Sequence, residues 1–463
     1  MGNDLLGFPD GFLWGTATSS YQIEGAKDED GKGESVWDRF AGTPGKTADG
    51  RNAAVTCDHY HRYPADFDLM KELGLRNYRF SIAWPRIFPA GTGGVNTKGL
   101  DFYDRLVDAM GQRGIRPFAT LFHWDLPHAL QDAGGWTNRA TVDAFLRYTE
   151  TVTRRLGDRV KDWMTHNEPW VVAFVGHLFG DQAPGLHDLR TALATAHGIL
   201  VSHGRAVPVI RANVKGASVG IVHNLEWVEP ASPKEEDVAA AMRHDGAFNR
   251  WFLDPVFRGS YPGDMLAWYG TDAPKVEAGD MEAMAVPIDF LGVNFYTRRV
   301  MAHDPAGRGT VGRSVLAARQ VHWPFVPRAA FEEWEMNAES LYRLLLRVQR
   351  EYRPGFMYVT ENGTPLPDAP GPDGAVHDPV RIRYIARHAA AVRQAAADGA
   401  DVRGYFLWSF MDNFEWGFGF TKRFGITWVD FETQKRIVKD SGRWYARVAR
   451  DNGFPVSDAE ASP

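Results

Sequence analysis

The sequence predicts a single α/β barrel, a (β/α)8 fold in which eight parallel strands alternate with helices. Three observations support this prediction. Short runs rich in aromatic and β-branched residues recur eight times, amphipathic segments separate several of them, and 44% of the 463 residues are hydrophobic, enough for a large core. Length alone suggests about three domains of ~150 residues, but barrels often exceed this as one unit. Because no linker divides the chain, we expect residues 1–463 to form one barrel domain.

The candidate strands are aromatic and β-branched runs. In chain order they are GFLWGTATS near residue 11, NYRFSIAW near 77, RPFATLFHW near 116, DWMTHNE near 162, ASVGIVHN near 217, DFLGVNFY near 289, FMYVTE near 356 and VRGYFLWSF near 402. Between them, segments such as 100–114 and 378–399 repeat an apolar residue every three or four positions, as an amphipathic helix does. Segments 41–56, 302–325 and 364–378 are rich in Gly, Pro and small polar residues, and we expect long strand-to-helix loops there, at the carboxyl-terminal face of the barrel.

An open, doubly wound sheet would show the same alternation of strands and helices, and the pattern leaves both arrangements open. The sequence contains neither GxGxxG after a strand nor GxxxxGK[ST]. A nucleotide-binding function therefore has no motif to support it.

Charge and cysteine content limit the partners. The net charge is −6, from 52 basic and 58 acidic residues, without a basic block, which excludes nucleic acid and anionic membranes as expected partners. The single cysteine, Cys57, excludes an intramolecular disulfide and suits a reducing compartment. The first basic residue is Lys27, and no apolar run approaches the ~18 to 20 residues of a membrane span, so we expect a cytoplasmic protein.

Two glutamates, Glu168 and Glu361, each end a candidate strand. Pro169 disfavours a helical backbone at Glu168 and predicts an extended one, and Asn362-Gly363 is a turn-forming pair. Glycoside hydrolysis needs two carboxyl groups at one site, one to protonate the departing oxygen and one to meet the positive charge at the ring carbon. The alternative is that each glutamate is a solvated charge or a salt-bridge partner.

Several other residues have the chemistry to bind a sugar. Residues 408–420, WSFMDNFEWGFGF, combine aromatic rings with Asp412 and Glu415, which suits the apolar face and the hydroxyl rim of a sugar, although aromatic runs also form cores. Polar residues also lie in or after candidate strands: Gln22, Glu24, Arg79, His123, Asn294 and Tyr296. Their shared position favours one binding site over separate structural roles.

Two other catalytic classes have weaker support. In CDHYHRY (57–63), His59 and His61 would not share a helix face, and no HExxH motif is present, so metal catalysis is not favoured. No GxSxG motif supports a serine hydrolase.

Four motifs resemble glycoside hydrolase family 1, the β-glucosidase family. They are FLWGTATSSYQIEGA (12–26), THNEP (165–169), VTENG (359–363) and WSFMDNFEW (408–416), in the family's order, and the resemblance extends from about residue 8 to about residue 450. The resemblance implies a (β/α)8 barrel, a retaining mechanism without a cofactor, and small β-glucosides or oligosaccharides such as cellobiose as substrates. β-Galactosides and β-fucosides are further expected substrates.

The resemblance also assigns roles that the residues alone leave open. Glu168 matches the family's acid/base and Glu361 its nucleophile, and Arg79 matches a cation that keeps Glu361 ionised. A less polar setting is expected to raise the pKa of Glu168. The positions that match terminal-sugar contacts are Gln22, His123, Asn167, Asn294, Tyr296, Trp408, Glu415 and Trp416, and Arg79 and Phe424 are further predicted substrate-binding residues. Trp323 is predicted to line the side of the site that binds the leaving group, with surface packing as its alternative.

Two alternative functions remain open at this stage, a 6-phospho-β-glycosidase and a non-catalytic sugar-binding barrel. In the related phospho-enzymes a small residue replaces the acid at position 415, and a lysine and a tyrosine follow. Here Lys422 is present but Glu415 is retained, and Phe424 stands in place of the tyrosine, which favours an unphosphorylated sugar.

The sequence departs from the family pattern at three positions that we expect near the site, His166, Gln182 and Thr364. None of them is one of the two acids. They bear on the preference for the leaving group rather than on catalysis.

Overall fold

The computed structural model describes residues 5–304, 306, 313–322 and 334–460. Eight parallel strands form a closed barrel in which each strand pairs with the next in chain order and the last pairs with the first. The strands are β1 (Leu13–Ala17), β2 (Asn77–Ser81), β3 (Arg116–Phe122), β4 (Asp162–Asn167), β5 (Ser218–Asn224), β6 (Phe290–Asn294), β7 (Met357–Asn362) and β8 (Val402–Trp408). Seven of the candidate segments contain one of these strands in full, and FMYVTE covers all of β7 except Asn362. The predicted (β/α)8 fold is confirmed, and the open-sheet alternative is wrong.

Helices surround the barrel. The longer ones are His59–Glu72, Thr97–Gln112, Arg139–Leu156, Leu189–Asn213, Glu235–Asp245, Trp251–Arg258, Ala338–Tyr352, Pro379–Ala397 and Asp440–Asp451. The shorter ones are Ser20–Ile23, Val36–Gly42, Trp84–Ile87, His128–Asp132, Gly263–Tyr269, Asp280–Met284 and Val456–Glu460, and Val171–Phe179 and Gly246–Arg250 are π-helical. Within the described ranges, no helix is long and apolar enough to cross a membrane.

Capping side chains explain where two of the longer helices begin. Asn138 accepts a hydrogen bond from the Ala140 amide at the start of Arg139–Leu156, and Asp188 accepts one from Thr191 at the start of Leu189–Asn213. Such caps satisfy amide groups that have no partner within the helix. The apolar faces of the helices then pack against the outside of the barrel.

Aromatic side chains fill the inside of the barrel. Phe118 on β3 lies 4.8 Å from Phe406 on β8 and 5.9 Å from Tyr358 on β7, measured between ring centroids. Tyr358 in turn lies 5.1 Å from Phe290 on β6. Phe290 is the first residue of β6, and Tyr358 is the second residue of β7. These rings therefore form a floor, and the carboxyl-terminal half of the barrel above it is open to a cavity.

Part of one predicted loop is a sheet. Arg298–His303 pairs antiparallel with Ala318–Val321 and parallel with Trp227–Pro230, which makes a three-stranded sheet after β5 and β6. The predicted strand-to-helix loop over 302–325 does lie between β6 and the helix Ala338–Tyr352, and its described part includes Ala318–Val321 and the end of Arg298–His303, whose backbone groups pair with each other away from the barrel. Two further pairs are antiparallel: Leu5–Gly7 with Gly453–Pro455, and Thr427–Val429 with Arg436–Val438.

The aromatic floor predicts a large stability loss on truncation of Phe118, which is fully buried. We expect Phe118→Ala to lower the free energy of unfolding by about 3–5 kcal/mol, because the lost ring leaves a cavity that rigid strands cannot close. Urea unfolding followed by tryptophan fluorescence measures this. Val238→Ala, at a partly exposed helix position, is the control and should change the value by less than about 0.5 kcal/mol. Equal effects of the two substitutions would contradict the proposed role of the floor.

Candidate active site

Glu168 and Glu361 lie at the carboxyl-terminal end of the barrel, Glu361 within β7 and Glu168 directly after β4. Both are buried: Glu361 exposes 4% of its surface and Glu168 exposes 6%. The alternative of a solvated glutamate is therefore wrong for both.

The backbone of Glu168 is left-handed, with φ of 49°, so the expectation of an extended conformation is wrong. Pro169 disfavours only the right-handed helical region for its predecessor. The Glu168 amide donates to the Val222 carbonyl at 2.9 Å, and the Glu168 carbonyl accepts from the Val171 amide at 3.0 Å. These two bonds turn the chain from β4 into the following helical segment and hold the strained conformation.

Glu361 is fixed by two donors. Arg79, which is fully buried on β2, donates from Nη1 to Oε1 at 2.5 Å, and the Tyr296 hydroxyl donates to Oε2 at 2.7 Å. The ion pair places a positive charge directly against this carboxyl group. Both of its oxygens are thereby oriented.

Glu168 has a different environment. Its Oε1 accepts a hydrogen bond from Asn294 Nδ2 at 2.6 Å, so its partner is a neutral amide rather than a cation. Burial, and then the negative charge of Glu361, raise the pKa of Glu168 well above its ordinary value, against the opposing effects of Asn294 and Arg79. Two neighbouring glutamates are thus held in unlike states, one paired with a cation and one favoured in its protonated form.

Asn167 connects the two glutamates. Its Oδ1 accepts from Arg79 Nη2 at 2.6 Å and from Asn294 Nδ2 at 3.0 Å. Its Nδ2 lies 3.1 Å from Nε2 of His123, whose pKa is held well below its ordinary value by burial and by the charge of Arg79. Because a neutral ring that accepts at Nε2 carries its proton on Nδ1, His123 has a donor left for a ligand.

A cavity of about 610 Å³ opens above these residues. Both glutamates line it, together with seven of the predicted sugar-binding residues: His123, Asn294, Tyr296, Trp408, Glu415, Trp416 and Phe424. Arg79 and Asn167 lie behind the wall and position the residues that line it. Gln22 is also buried, with its side chain bonded to Asn413 Oδ1 and the Phe414 carbonyl at 3.1 and 2.9 Å. Trp323 lies outside the described residues.

Glu415 is a second protonatable group in the wall. Burial, and then the charge of Glu361, raise the pKa of Glu415 to about 8. No hydrogen-bond donor among the described residues reaches its buried Oε2. Phe424 packs edge-on against Tyr296 with a centroid distance of 6.0 Å. A carboxyl group therefore stands where the phospho-enzymes have a small residue, and an apolar ring stands where they have a tyrosine, while the retained Lys422 also lines the cavity.

Sequence reasoning missed much of the outer wall. Trp334, with its ring 4.9 Å from Tyr296, lines the cavity where Trp323 was expected to do so. Other missed residues lie at the end of β5 or after β4, β5 and β6: Trp170, Val171, Val175, Asn224, Glu226, Phe248, Thr297 and Arg299. Asn224 ends a candidate strand, and this position could have identified it. The others carry no local signal, because they lie outside the eight barrel strands, on loops, on the π-helical segments or on the small separate sheet.

Two of the three departures from the family pattern lie away from the cavity wall. His166 is on the outer side of β4, where its Nε2 lies 2.8 Å from Ser202 Oγ and its ring packs 4.6 Å from Phe145. Thr364 is fully buried, and only Gln182 of the three lines the described part of the cavity. The expectation that all three lie near the site is wrong for His166, because alternate residues of β4 face opposite sides of the barrel wall.

A parallel barrel with two unlike, buried carboxyl groups and an aromatic, hydrogen-bonding cavity at the ends of its strands defines a glycoside hydrolase. The sequence profile described as Glycosyl hydrolase family 1 matches residues 6–454. The chain belongs to this family, and it is an enzyme of the glycoside hydrolase class.

Characterised relatives support this assignment. The chain is 47% identical over 449 residues to Beta-glucosidase A of Thermotoga maritima, covering 96% of this chain and 98% of the relative. It is 46% identical to Beta-glucosidase A of Acetivibrio thermocellus, covering 96% and 99%. The solved family 1 b-glucosidase from Thermotoga maritima superposes with a TM-score of 0.93 at 46% identity, covering 97% and 99%. A structure of the Thermotoga maritima enzyme in complex with deoxynojirimycin gives the same TM-score, covering 96% and 99%.

His, Cys, Asp and Glu side chains, the usual metal ligands, are dispersed within the described ranges. In the part of the chain that the structure describes, no group of three or more His, Cys, Asp or Glu side chains is arranged to hold a metal ion. His59 instead pairs with Asp66 at 2.8 Å, away from the cavity.

The charge of Glu361 is predicted to control the pKa of Glu168. We expect Glu361→Gln to lower that pKa, because the substitution removes a negative charge and leaves Arg79 unpaired, while burial keeps the value above that of a solvated glutamate. The carbon-13 NMR titration of labelled glutamate carboxyl groups, with Glu168→Gln for assignment, measures the change. The exposed Glu432→Gln is the control and should leave the pKa unchanged. An unchanged or higher pKa in Glu361→Gln would refute the coupling.

Proposed function

We propose that the chain is a retaining β-glucosidase that releases terminal β-D-glucosyl residues through a covalent glucosyl-enzyme, with Glu361 as nucleophile and Glu168 as acid/base. One observation carries the assignment of roles: Arg79 is paired with Glu361, whereas burial and a neutral amide favour the protonated form of Glu168. A nucleophile must be ionised and an acid protonated at the start of the reaction.

In the first step, a Glu361 oxygen attacks the anomeric carbon while Glu168 gives its proton to the glycosidic oxygen, and the leaving group departs as an alcohol. The new ester neutralises the charge of Glu361. Because that charge helps to raise the pKa of Glu168, its loss lowers the pKa and favours the carboxylate. Glu168 can then take a proton from water, whose oxygen attacks the same carbon, and the bond to Glu361 breaks.

Substrate recognition is proposed to divide between hydrogen bonds and aromatic contact. His123 Nδ1, the Asn294 amide and the carboxyl group of Glu415 suit sugar hydroxyls, and Trp408 and Trp416 suit the apolar face of the ring. An unphosphorylated sugar fits Glu415 and Phe424, so β-glucosides, β-galactosides, β-fucosides and oligosaccharides such as cellobiose are the proposed substrates. A 6-phospho-sugar is not favoured.

We further propose that residues 1–463 act as one cytoplasmic catalytic unit. The pairing of Leu5–Gly7 with Gly453–Pro455, and the bond from Trp14 Nε1 to Asn452 Oδ1 at 3.0 Å, join the two end segments to the same barrel. The lone Cys57 is buried and suits a reducing compartment.

Replacing Glu361 tests the nucleophile. We expect Glu361→Ala to reduce turnover of p-nitrophenyl β-glucoside by about 10⁴-fold or more, because no covalent intermediate can form. Added azide should restore turnover and give the α-glucosyl azide, since the anion attacks from the face that the carboxylate has vacated. Product NMR measures the configuration. Exposed Glu432→Ala should retain wild-type activity. A β-configured azide, or retained activity, would overturn the assignment.

The raised pKa of Glu168 predicts an alkaline limit. The acid must be protonated, so kcat/KM for a poor leaving group such as that of cellobiose should fall as pH rises through the pKa of Glu168. Glu168→Gln should lower kcat/KM for cellobiose by about 10²-fold or more. It should change the value for 2,4-dinitrophenyl β-glucoside far less, because that leaving group departs without a proton. Equal losses for both substrates would contradict the role of Glu168 as the acid.

A further inference from the structure

One side of the cavity lies next to Glu361, and the other side lies next to Glu168. Glu361 lies on β7, and wall residues at the end of β8 and after it, such as Trp408 and Glu415, lie on its side. Glu168 follows β4, and wall residues at the end of β5 and after β4 and β5 lie on the Glu168 side, where Arg299 joins them through its bond to Glu226. Because an acid must touch the glycosidic oxygen, the leaving group of the proposed reaction occupies the Glu168 side.

A buried ion pair belongs to this second side. Arg299 Nε donates to Glu226 Oε1 at 2.7 Å, and Glu226 Oε2 lies 3.0 Å from His244 Nε2. Asn249 fixes the Glu226 backbone, accepting from its amide at 3.1 Å and donating to its carbonyl at 2.9 Å. Burial alone would raise the pKa of Glu226, but Arg299 and His244 hold it below its ordinary value. Glu226 is thus a charged anchor that orients the guanidinium group.

Arg299 retains hydrogen-bonding capacity toward the cavity. A guanidinium group carries five N–H donors, of which Nε binds Glu226 and Nη1 binds Gln320 Oε1. Arg299 lines the cavity beside Asn224, whose buried Oδ1 is reached by no donor within the described ranges. Trp170 and Phe248, with ring centroids 4.2 Å apart, form an apolar part of the same wall. Donors, an acceptor and a flat apolar surface together match a hydroxylated ring.

We propose that Arg299, positioned by Glu226, acts with Asn224 to bind the hydroxyl groups of a sugar in the leaving-group position, and so selects a second sugar over an apolar leaving group. This inference rests on the proposed β-glucosidase function. Arg299 is assigned as a specificity-determining residue and not as part of the chemistry, since the residues that contact the two catalytic candidates are Arg79, Asn294 and Tyr296.

Charge favours a neutral hydroxyl ligand over a carboxylate. The positive charge of Arg299 is balanced by Glu226 at 2.7 Å, and Glu361 adds a further carboxyl group to the cavity. An anionic leaving group would meet little uncompensated positive charge on this side. A sugar hydroxyl can accept from the guanidinium and donate to Asn224 without adding charge.

The test compares one substrate with a sugar leaving group, cellobiose, and one with an aromatic leaving group, p-nitrophenyl β-glucoside. Arg299→Lys keeps the charge next to Glu226 but removes the planar guanidinium fork and the additional N–H donors that it carries. We expect kcat/KM for cellobiose to fall about 10-fold or more and that for p-nitrophenyl β-glucoside to change less than about 2-fold. Both substrates give the same glucosyl-enzyme, so a change in their ratio reports the leaving-group side alone.

Two further variants keep the test decisive. The double substitution Glu226→Gln with Arg299→Gln removes both charges together, so that neither is left buried and unpaired, and it should shift the ratio in the same direction. Arg298→Lys is the matched control, because Arg298 pairs instead with Glu229 and Glu335 and does not line the described cavity. Its ratio should equal that of the wild type.

The outcomes separate this inference from the proposed function. If the wild type hydrolyses both substrates and the folded Arg299 variants keep the wild-type ratio, the role of Arg299 is refuted while the β-glucosidase function stands. If the wild type hydrolyses neither, the proposed function itself fails. Thermal unfolding of each variant establishes that it is folded, and cellobiose-specific loss in a folded variant supports the inference.

Discussion

The site depends on one buried cation. Arg79 on β2 is fully enclosed, and its two terminal nitrogens contact Glu361 on β7 and Asn167 on β4. A charge removed from water in this way is tolerated only if it is paired and hydrogen-bonded, and loss of one partner of such a pair typically costs about 3–5 kcal/mol. The requirement fixes three strands relative to one another. The relative position of these strands and the orientation of Glu361 therefore depend on the same contacts.

The aromatic floor strengthens the polar network above it. Phe118, Tyr358 and Phe406 exclude water from the barrel below Arg79, which strengthens the electrostatic interactions of the groups above. In such surroundings a small chemical difference between two hydrogen-bond donors has a large effect on the carboxyl groups that they contact. A guanidinium beside one carboxyl group and an amide beside the other give two glutamates in one cavity different surroundings.

The sequence predicted the barrel well because its strands are largely buried and appear as short runs rich in aromatic and β-branched residues between amphipathic helices. Site residues in those strands, such as Glu361 and Asn294, were predicted for the same reason. Trp334 and Arg299 were not, because their place in the wall depends on the path of long loops and on a small separate sheet. The left-handed backbone of Glu168 was also missed, since it follows from bonds to distant parts of the chain.

Three residues of the cavity wall, Trp124, Glu168 and Trp416, share a positive φ, at 79°, 49° and 49°. Such conformations cost roughly 1–3 kcal/mol each for residues other than glycine. Glycine would relieve the backbone strain, but it would also remove two buried tryptophan rings, and truncating each ring typically costs about 3–5 kcal/mol. The strain is therefore kept by side chains that cannot be exchanged for glycine without a larger loss, and gains in thermal stability are expected elsewhere, in the helical shell or the aromatic floor.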